Sequence, residues 1–295
     1  MADDDASSST KPSKRVLPAS IEDEQGPLTV DGEMPQKRFY RSRAHCNPLA
    51  HNDAFDYPTD GPDHIDWKAH FTTEDDENNK EGPNVLDIGC GFGGLTAALA
   101  KLLPKDKYRI LGLEIRAKVT EYVRLRIAAL RKESNNQLYT NCSVMRSNTM
   151  KFMPNLFRKS SLEKVFFCFP DPHFKRKNHP RRIVSERLLS EYAYFLKPTV
   201  GRLYCITDVE DLHNWHMEKC RAHPLFRELS KEEMENDVCV EAMKCETEEG
   251  KKVLRAEAQM FYGVFERVRD DEAFVDDNVD FWDEGQFGVG VAKIN

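Results

Sequence analysis

Between about residues 84 and 268, short apolar segments alternate with longer segments that carry apolar residues at helical spacing. In one of the longer segments, Val119, Val123 and Ile127 fall on a single helical face. Strands and helices that alternate in this way form βαβ units, in which neighbouring strands lie parallel within one sheet. The chain is therefore predicted to adopt an α/β fold with a doubly wound, mostly parallel sheet.

The predicted elements follow one another along this region. We expect strands at residues 84–88, 108–115, 143–145, 164–169, 201–207 and 259–268, and helices at residues 95–103, 117–132, 185–197 and 209–222. Pro104 and Pro198 directly follow two of these helices and end them, because proline cannot continue a helix. The last, amphipathic strand is expected to run antiparallel to the others.

Composition divides the chain into four segments. Residues 1–36 are rich in Ser, Asp, Pro and Lys and are predicted to be a disordered tail. Residues 37–82 combine a basic, aromatic arm with an acidic linker, and residues 83–269 form the α/β domain. Residues 270–295 are expected to be an acidic C-terminal tail.

The charge of the chain is unevenly distributed. The net charge is −7, which by itself argues against a nucleic-acid partner. However, basic residues are concentrated at Lys37–Arg43 and Lys175–Arg182, whereas acids are concentrated in the tails and the linker. Local clusters decide whether a polyanion can dock, so nucleic acid remains an expected partner.

Several classes of protein are not expected. No run of 18 or more apolar residues exists, so no membrane span is predicted, and the N-terminal segment lacks the apolar stretch of a secretory signal. Eight cysteines without a CxxC pair indicate reduced, buried thiols in an intracellular protein, with Cys90, Cys168 and Cys205 in apolar contexts. His213 and His216 have no third candidate ligand nearby and are predicted to be surface or core residues, without a metal.

A glycine-rich loop joins the first predicted strand to the first helix. Gly89, Gly91 and Gly94 satisfy the pattern GxGxxG, which on its own is weak evidence for a nucleotide site. Here the strand and helix context is present, and Glu114 ends the second strand, where a carboxylate can accept hydrogen bonds from both ribose hydroxyls. The alternative is an ordinary tight turn; we favour a nucleotide-like cofactor.

Two cofactors fit such a loop, NAD and S-adenosyl-L-methionine. Asp87 favours the second, because a carboxylate beside the ligand suits a zwitterionic amino acid with a sulfonium and would repel a pyrophosphate. Asn148, after the third strand, could pair with an adenine edge or could be a plain loop residue. Thr247 is expected to cap a helix, with Glu248 and Glu249 in its first turn.

The most specific segment spans residues 166–177. An apolar strand leads directly into Asp171, which stands between two prolines where an acceptor substrate should sit; the alternative is a turn acid that caps a helix. His173 and Phe174 are interleaved with basic residues, a combination that suits bases and phosphates, although a solvated basic face is the alternative. The predicted phosphate-contacting residues are Lys37, Arg38, Arg41, Arg43, His173, Lys175, Arg176, Lys177, Arg181 and Arg182.

Taken together, residues 37–269 resemble the catalytic subunit of the eukaryotic tRNA (guanine-N7-)-methyltransferase family. The resemblance is carried by Arg43–Pro48, Asp87–Gly91, Gly112–Arg116, Arg146–Asn148, Phe169–Lys177, Ile206–Asp208 and Thr247–Arg255. The Pro-Asp-Pro-His-Phe-Lys run is far more specific than the glycine loop. The resemblance implies a Rossmann-like class I methyltransferase fold, S-adenosyl-L-methionine as cofactor, and tRNA as substrate.

The resemblance also implies roles for particular residues. It implies a catalytic-site aspartate at Asp171 and cofactor contacts from Gly89, Gly91, Glu114, Ile115, Arg116, Asn148, Thr149, Cys168, Thr247, Glu248 and Glu249. It implies a target guanosine in the tRNA variable loop, a non-catalytic WD-repeat subunit that forms a heterodimer, and a nuclear location, with the cytoplasm as a second option. Because guanine N7 carries a lone pair and no proton, we expect Asp171 to recognise the base and not to act as a general base.

Three other functions fit parts of this sequence. A methyltransferase acting on a protein or a small molecule is disfavoured by the basic run after Asp171, whereas one acting on another RNA stays open. A non-catalytic RNA-binding subunit of the same fold is disfavoured because the glycine loop and Asp171 are both present. A nicotinamide-dependent oxidoreductase is disfavoured by Asp87 and by the lack of an obvious hydride-relay residue.

Overall fold

The computed structural model describes residues 32–43, 46–50, 55, 57–71 and 82–273. These residues contain a sheet of seven strands: β1 (Val85–Ile88), β2 (Ile110–Glu114), β3 (Cys142–Arg146), β4 (Lys164–Cys168), β5 (Arg202–Thr207), β6 (Phe226–Glu228) and β7 (Phe261–Arg267). Every predicted strand is present, with ends that differ by at most two residues from the prediction.

The strand order in the sheet is β3-β2-β1-β4-β5-β7-β6. The first five strands are parallel, with Val85 in register with Ile110 of β2 and with Lys164 of β4. Strand β7 runs antiparallel to both β5 and β6. The predicted α/β fold, a doubly wound and mostly parallel sheet with an antiparallel late strand, is therefore confirmed.

Helices cover both faces of the sheet. They are α1 (Gly94–Leu102), α2 (Ala117–Glu133), α3 (Thr149–Leu156), α4 (Glu186–Phe195), α5 (Glu210–Ala222), α6 (Lys231–Glu235), α7 (Val238–Cys245) and α8 (Glu248–Arg255). The sequence predicted α1, α2, α4 and α5, and it predicted the start of α8 from its cap. In the described part of the chain, none of these helices is both long enough and apolar enough to cross a membrane.

The core lies on both sides of β4, which explains the uninterrupted apolar run in the sequence. Val165 and Phe167 point into one cluster, together with Tyr192 of α4. Phe166 points into the other cluster, where it stacks on the Tyr204 ring at a centroid distance of 4.3 Å. A strand buried on both faces needs apolar residues at every position and not at alternate ones.

The N-terminal arm packs against the domain. Its described residues include 3-10 helices at Lys37–Phe39, Pro62–His64 and Trp67–Ala69, and the Trp67 side chain is buried in the core. Helix α3 holds the arm through its side chains, because the Asn155 amide donates to the Pro58 carbonyl at 3.1 Å. The predicted acidic linker and most of both predicted tails lie outside the described residues, so the boundaries of those segments stay predictions.

The eight cysteines all lie among the described residues as thiols and not as disulfides, and most of them are buried. Burial raises the pKa of the Cys142 thiol to about 12 and raises the pKa of the Cys90 and Cys205 thiols well above the ordinary value. A thiol with a raised pKa stays protonated and is a poor nucleophile. These side chains therefore act as small apolar groups in the core.

Candidate active site

A pocket of about 630 Å³ lies at the carboxyl ends of the parallel strands. The strand order reverses between β1 and β4, and a doubly wound sheet binds its ligands in the crevice at this point. The segments after β1, β2, β3, β4 and β5 all line the pocket, and residues of the arm and the start of α8 complete it. Loops that are distant in the sequence thus converge on one site.

The glycine loop forms one wall of the pocket. Gly89 and Gly91 have φ angles of +72° and +54°, a backbone conformation that other residues rarely adopt. A Cβ atom on either glycine would meet no atom within 4 Å, so the space above the loop is open. A ligand can therefore approach the backbone closely at this wall, as the sequence pattern predicted.

Asp87 is a buried carboxylate in the same wall, with 2% of its surface exposed. The Thr96 hydroxyl donates to Asp87 Oδ2 at 2.7 Å. Burial raises the Asp87 pKa to about 6, the hydrogen bond from Thr96 opposes that rise, and the nearby negative charge of Glu114 adds to it. Asp87 is therefore ionised at neutral pH, and it loses its charge on mild acidification.

Glu114 lies at the end of β2 and is held by Arg116. The Arg116 backbone N–H and Nε donate to Glu114 Oε1 at 2.9 and 3.0 Å, and Arg116 Nη2 donates to Oε2 at 2.7 Å. A carboxylate offers about four lone-pair sites. Three donors therefore occupy most of the capacity of Glu114, and they fix its orientation at the pocket.

The start of α8 forms another part of the pocket wall. The Thr247 hydroxyl accepts a hydrogen bond from the Gly250 N–H at 2.9 Å, which confirms the predicted helix cap. A Cβ atom at Gly94 would overlap the Glu246 carbonyl oxygen, so the glycine allows this segment to pack on the glycine loop. Glu248, which lies in the first turn of α8, lines the pocket.

Asn148 lies at the pocket, but its side chain already bonds to protein groups. Its Oδ1 caps α3 by accepting from the Met150 N–H at 3.2 Å, and its Nδ2 donates to the Pro48 carbonyl at 2.7 Å. An adenine edge would have to share this amide with the helix and the arm. The contact between Asn148 and a cofactor stays a prediction, whereas its role in holding the arm is clear.

The comparisons with known proteins agree with one another. The family described as "Putative methyltransferase" matches residues 81–262, which include the glycine loop, Asp171 and Thr247. The tRNA (guanine-N(7)-)-methyltransferase of Botryotinia fuckeliana is 49% identical, covering 81% of this chain and 90% of that protein. The chain belongs to the tRNA (guanine-N7-)-methyltransferase family. The relative of the same name from Schizosaccharomyces pombe is 48% identical, covering 81% of this chain and 87% of that protein. The one from Yarrowia lipolytica is 50% identical, covering 82% of this chain and 81% of that protein.

In this family member, the loop after β4 places Asp171 in the pocket wall. Phe169 and His173 have φ angles of +50° and +46°, so the chain turns sharply on both sides of the acid. The Arg182 Nε donates to the Pro172 carbonyl at 2.9 Å, and this hydrogen bond holds the loop in place. The conformation that presents Asp171 is therefore fixed by contacts outside the pocket.

The prediction that Arg182 contacts phosphate does not fit the structure. Its side chain is buried, with 5% exposed, and its guanidinium lies over the Trp215 ring, 4.7 Å from the centroid. A buried guanidinium that already donates to a carbonyl is unavailable to an external phosphate. Arg182 therefore supports the loop in this structure.

The other predicted basic residues fall into three groups. Arg41, His173 and Arg181 line the pocket, as do all of the predicted cofactor-contacting residues. Arg38, Arg43, Lys175, Arg176 and Lys177 are exposed to solvent. Lys37 pairs with Glu248 at the pocket edge, which ties the arm to α8.

Some residues of the pocket were not predicted as site residues. Cys46 and Pro48 of the arm, Asp208 and Val209 after β5, and Lys252 of α8 all line it. The position of Asp208 directly after a predicted strand was a signal that could have identified it, because the carboxyl ends of parallel strands share one edge. The arm residues carried no such signal, because only tertiary packing brings them to the sheet.

Proposed function

We propose that this chain is a tRNA (guanine-N7-)-methyltransferase, which transfers a methyl group from S-adenosyl-L-methionine to N7 of a variable-loop guanosine. The observation that carries this proposal is that the glycine loop, Glu114 and Asp171 line the same pocket. Exposed basic residues directly follow that acid. Curated relatives that are 46–50% identical bear the name of this activity.

The residues of the first wall fit S-adenosyl-L-methionine. The open space above Gly89 and Gly91 can take a ligand against the backbone, and Glu114, which lines the same pocket, would accept from ribose hydroxyls. The negative charge of Asp87 suits the positive amino and sulfonium groups. When bound, S-adenosyl-L-methionine supplies a methyl group on positively charged sulfur, and guanine N7 takes up that methyl with its lone pair.

Asp171 is assigned to the guanine side of the pocket. Its carboxylate can accept from the N1–H and the N2 amino group of guanine, an edge that adenine does not offer. The guanine ring becomes positively charged as N7 is methylated, and a nearby carboxylate stabilises that charge. The pocket walls contribute the rest by holding the two reacting atoms in line.

The deciding experiment is mass spectrometry of nucleosides from tRNA that has been incubated with the purified chain and S-adenosyl-L-methionine. The proposal expects 7-methylguanosine to appear, and a tRNA with adenosine in place of the variable-loop guanosine to remain unmodified. The reaction is run with the chain alone and with its WD-repeat partner. Absence of 7-methylguanosine under both conditions would refute the activity.

The WD-repeat subunit and the nuclear location are further parts of this proposal. Both rest on the resemblance to the family, and the basic stretch Lys11–Arg15 is only a weak localisation signal. Co-purification of the chain from cells, followed by identification of the proteins bound to it, tests the first. Microscopy of the tagged chain tests the second.

The affinity for S-adenosyl-L-methionine is expected to fall as the pH is lowered through about 6, the pKa of Asp87. Below this pH the carboxyl becomes protonated, so its attraction for the cationic ligand is lost; above it, the charge and the affinity are present. Calorimetric titrations between about pH 8 and about pH 5 measure this change.

The matched variant for this titration is Asp87→Asn, which is neutral throughout. Its affinity should be lower at neutral pH and nearly independent of pH. A pH dependence that is equally strong in Asp87→Asn would assign the titration to a group other than Asp87.

Replacing Lys175 by Ala is expected to weaken tRNA binding and to reduce the slope of log K against log salt by about one unit. Lys175 is exposed on the loop next to the pocket, so its ammonium can displace one counterion from the RNA. Binding is measured over a range of salt concentrations. Lys231→Ala serves as the control, because Lys231 is also exposed but lies on α6, and its slope should equal that of the unaltered chain. An unchanged slope in Lys175→Ala would contradict the contact.

A further inference from the structure

Phe174 occupies an unusual position for a phenylalanine. Of the large apolar side chains in the described part of the chain, it is the most exposed, at 68%. An exposed aromatic ring forgoes the stabilisation that burial would give. Single exposed apolar residues are common, so exposure alone assigns no role. The surroundings of the ring are therefore decisive.

The loop holds Phe174 at a fixed place beside the pocket. The preceding residue, His173, lines the pocket and has a φ angle of +46°, so the chain turns outward there. The Pro172 carbonyl is anchored by Arg182, which in turn lies over the Trp215 ring. The Trp215 Nε1 donates to the Val184 carbonyl at 2.8 Å, which fixes the anchor itself. Phe174 thus lies just outside the pocket, on a loop whose backbone is held by Arg182.

The basic residues that follow Phe174 indicate which kind of partner could contact its ring. Lys175, Arg176 and Lys177 are all exposed, and the last two begin the 3-10 helix Arg176–Arg181. Surfaces that bind single-stranded nucleic acid combine such cations, which track the backbone, with aromatic rings on which bases stack. An apolar protein partner would instead be opposed by the cost of desolvating three cations.

We propose that the Phe174 ring stacks on the base of a nucleotide that flanks the target guanosine. This inference rests on the proposed function and specifies how the RNA strand is held. Because Phe174 lies outside the pocket that takes the guanine, its partner is a neighbouring base. A base that enters a pocket loses the stacking with its neighbours, and the phenyl ring replaces that stacking on one side.

Three single substitutions test the contact with the full-length chain and a tRNA transcript that carries the variable-loop guanosine. Phe174→Ala should weaken tRNA binding about tenfold and raise KM more than it changes kcat. Phe174→Trp should retain the affinity, since a larger ring also stacks. Tyr194→Ala is the control, because Tyr194 is 52% exposed but lies on α4, outside the pocket; it should bind like the unaltered chain.

Two further measurements separate stacking from other effects. The salt slope of Phe174→Ala should equal that of the unaltered chain, since a phenyl ring displaces no counterion. Two transcripts each carry one abasic nucleotide, on the 5′ side or on the 3′ side of the target, and one of the two should bind the unaltered chain about tenfold more weakly. On that transcript, Phe174→Ala should cost nothing further, because the base that it would contact is absent.

Several results would overturn the stacking contact. They are an unchanged tRNA affinity in Phe174→Ala, a full additional loss on both abasic transcripts, or a loss of binding to a co-purified protein with tRNA affinity intact. The proposed function is judged separately, by 7-methylguanosine formation in the unaltered chain. An active chain whose Phe174→Ala variant binds tRNA normally would refute the stacking alone.

Discussion

Replacing Asp171 by Asn is expected to lower kcat for tRNA methylation by about 10²- to 10³-fold, while the affinity for S-adenosyl-L-methionine stays near that of the unaltered chain. The substitution preserves the shape of the side chain and removes its charge. The developing positive charge on guanine then loses its stabilising partner, and the new amide N–H₂ can face the N1–H and N2 donors of the base. Single-turnover kinetics with tRNA and calorimetry with the cofactor measure the two effects separately.

A matched control and a modified substrate sharpen this prediction. Asp106→Asn makes the same chemical change at an exposed site in the α1–β2 connection, so its kcat should be unaffected. A tRNA with inosine at the target position lacks the N2 amino group. Inosine should therefore slow the unaltered chain but make little further difference to Asp171→Asn. Unchanged turnover in Asp171→Asn, or an equal loss of cofactor binding, would contradict the assigned role.

The sheet could be predicted from the sequence because its strands leave strong local signals. β4 is buried on both faces, so it appears as an unbroken apolar run. Pro104 and Pro198 follow α1 and α4 and mark where these two helices end. The unpredicted helix α3 has Pro154 within it, which argues against a helix on local grounds. Tertiary packing against the arm outweighs that penalty, and no local pattern reports it.

The same distinction applies to the site. The loops that follow the strands could be assigned because parallel strands bring their carboxyl ends together. The burial of Arg182 could not be predicted. A run of basic residues has the same sequence whether the Arg182 guanidinium is solvated or lies over the ring of Trp215, which is more than thirty positions later in the chain. The pairing of Lys37 with Glu248 depends likewise on an arm and a helix from opposite ends of the chain.

Arg116 shows a third case, in which residues are correctly placed but their interaction is not foreseen. The sequence predicted both Glu114 and Arg116 as cofactor contacts, and both line the pocket. The structure adds that they form a two-pronged ion pair, with the Glu114 side chain 3% exposed. A carboxylate that is already oriented costs little entropy when a ligand binds to it. The pair thus makes Glu114 a preorganised acceptor with limited remaining capacity.

Glu114→Gln is therefore expected to reduce the affinity for S-adenosyl-L-methionine by roughly 10- to 100-fold, and also to lower the thermal stability of the chain because Arg116 loses its charged partner. Glutamine keeps one acceptor oxygen, which Arg116 can still use, but it loses the charge and one of the two acceptor atoms. Ribose hydroxyls would then lose charge-assisted hydrogen bonds. Calorimetry with the cofactor and thermal unfolding measure affinity and stability separately.

The control is Glu121→Gln, which alters an exposed glutamate of α2 that also pairs with an arginine, Arg124. Its cofactor affinity should be unchanged, since the pair lies on the helix surface, where ion pairs contribute little. A 2′-deoxy analogue of S-adenosylhomocysteine provides the second test. The unaltered chain should bind the analogue more weakly than S-adenosylhomocysteine, and this difference should shrink in Glu114→Gln. An undiminished difference would show that the ribose is held by another group and that Glu114 serves only to fix Arg116.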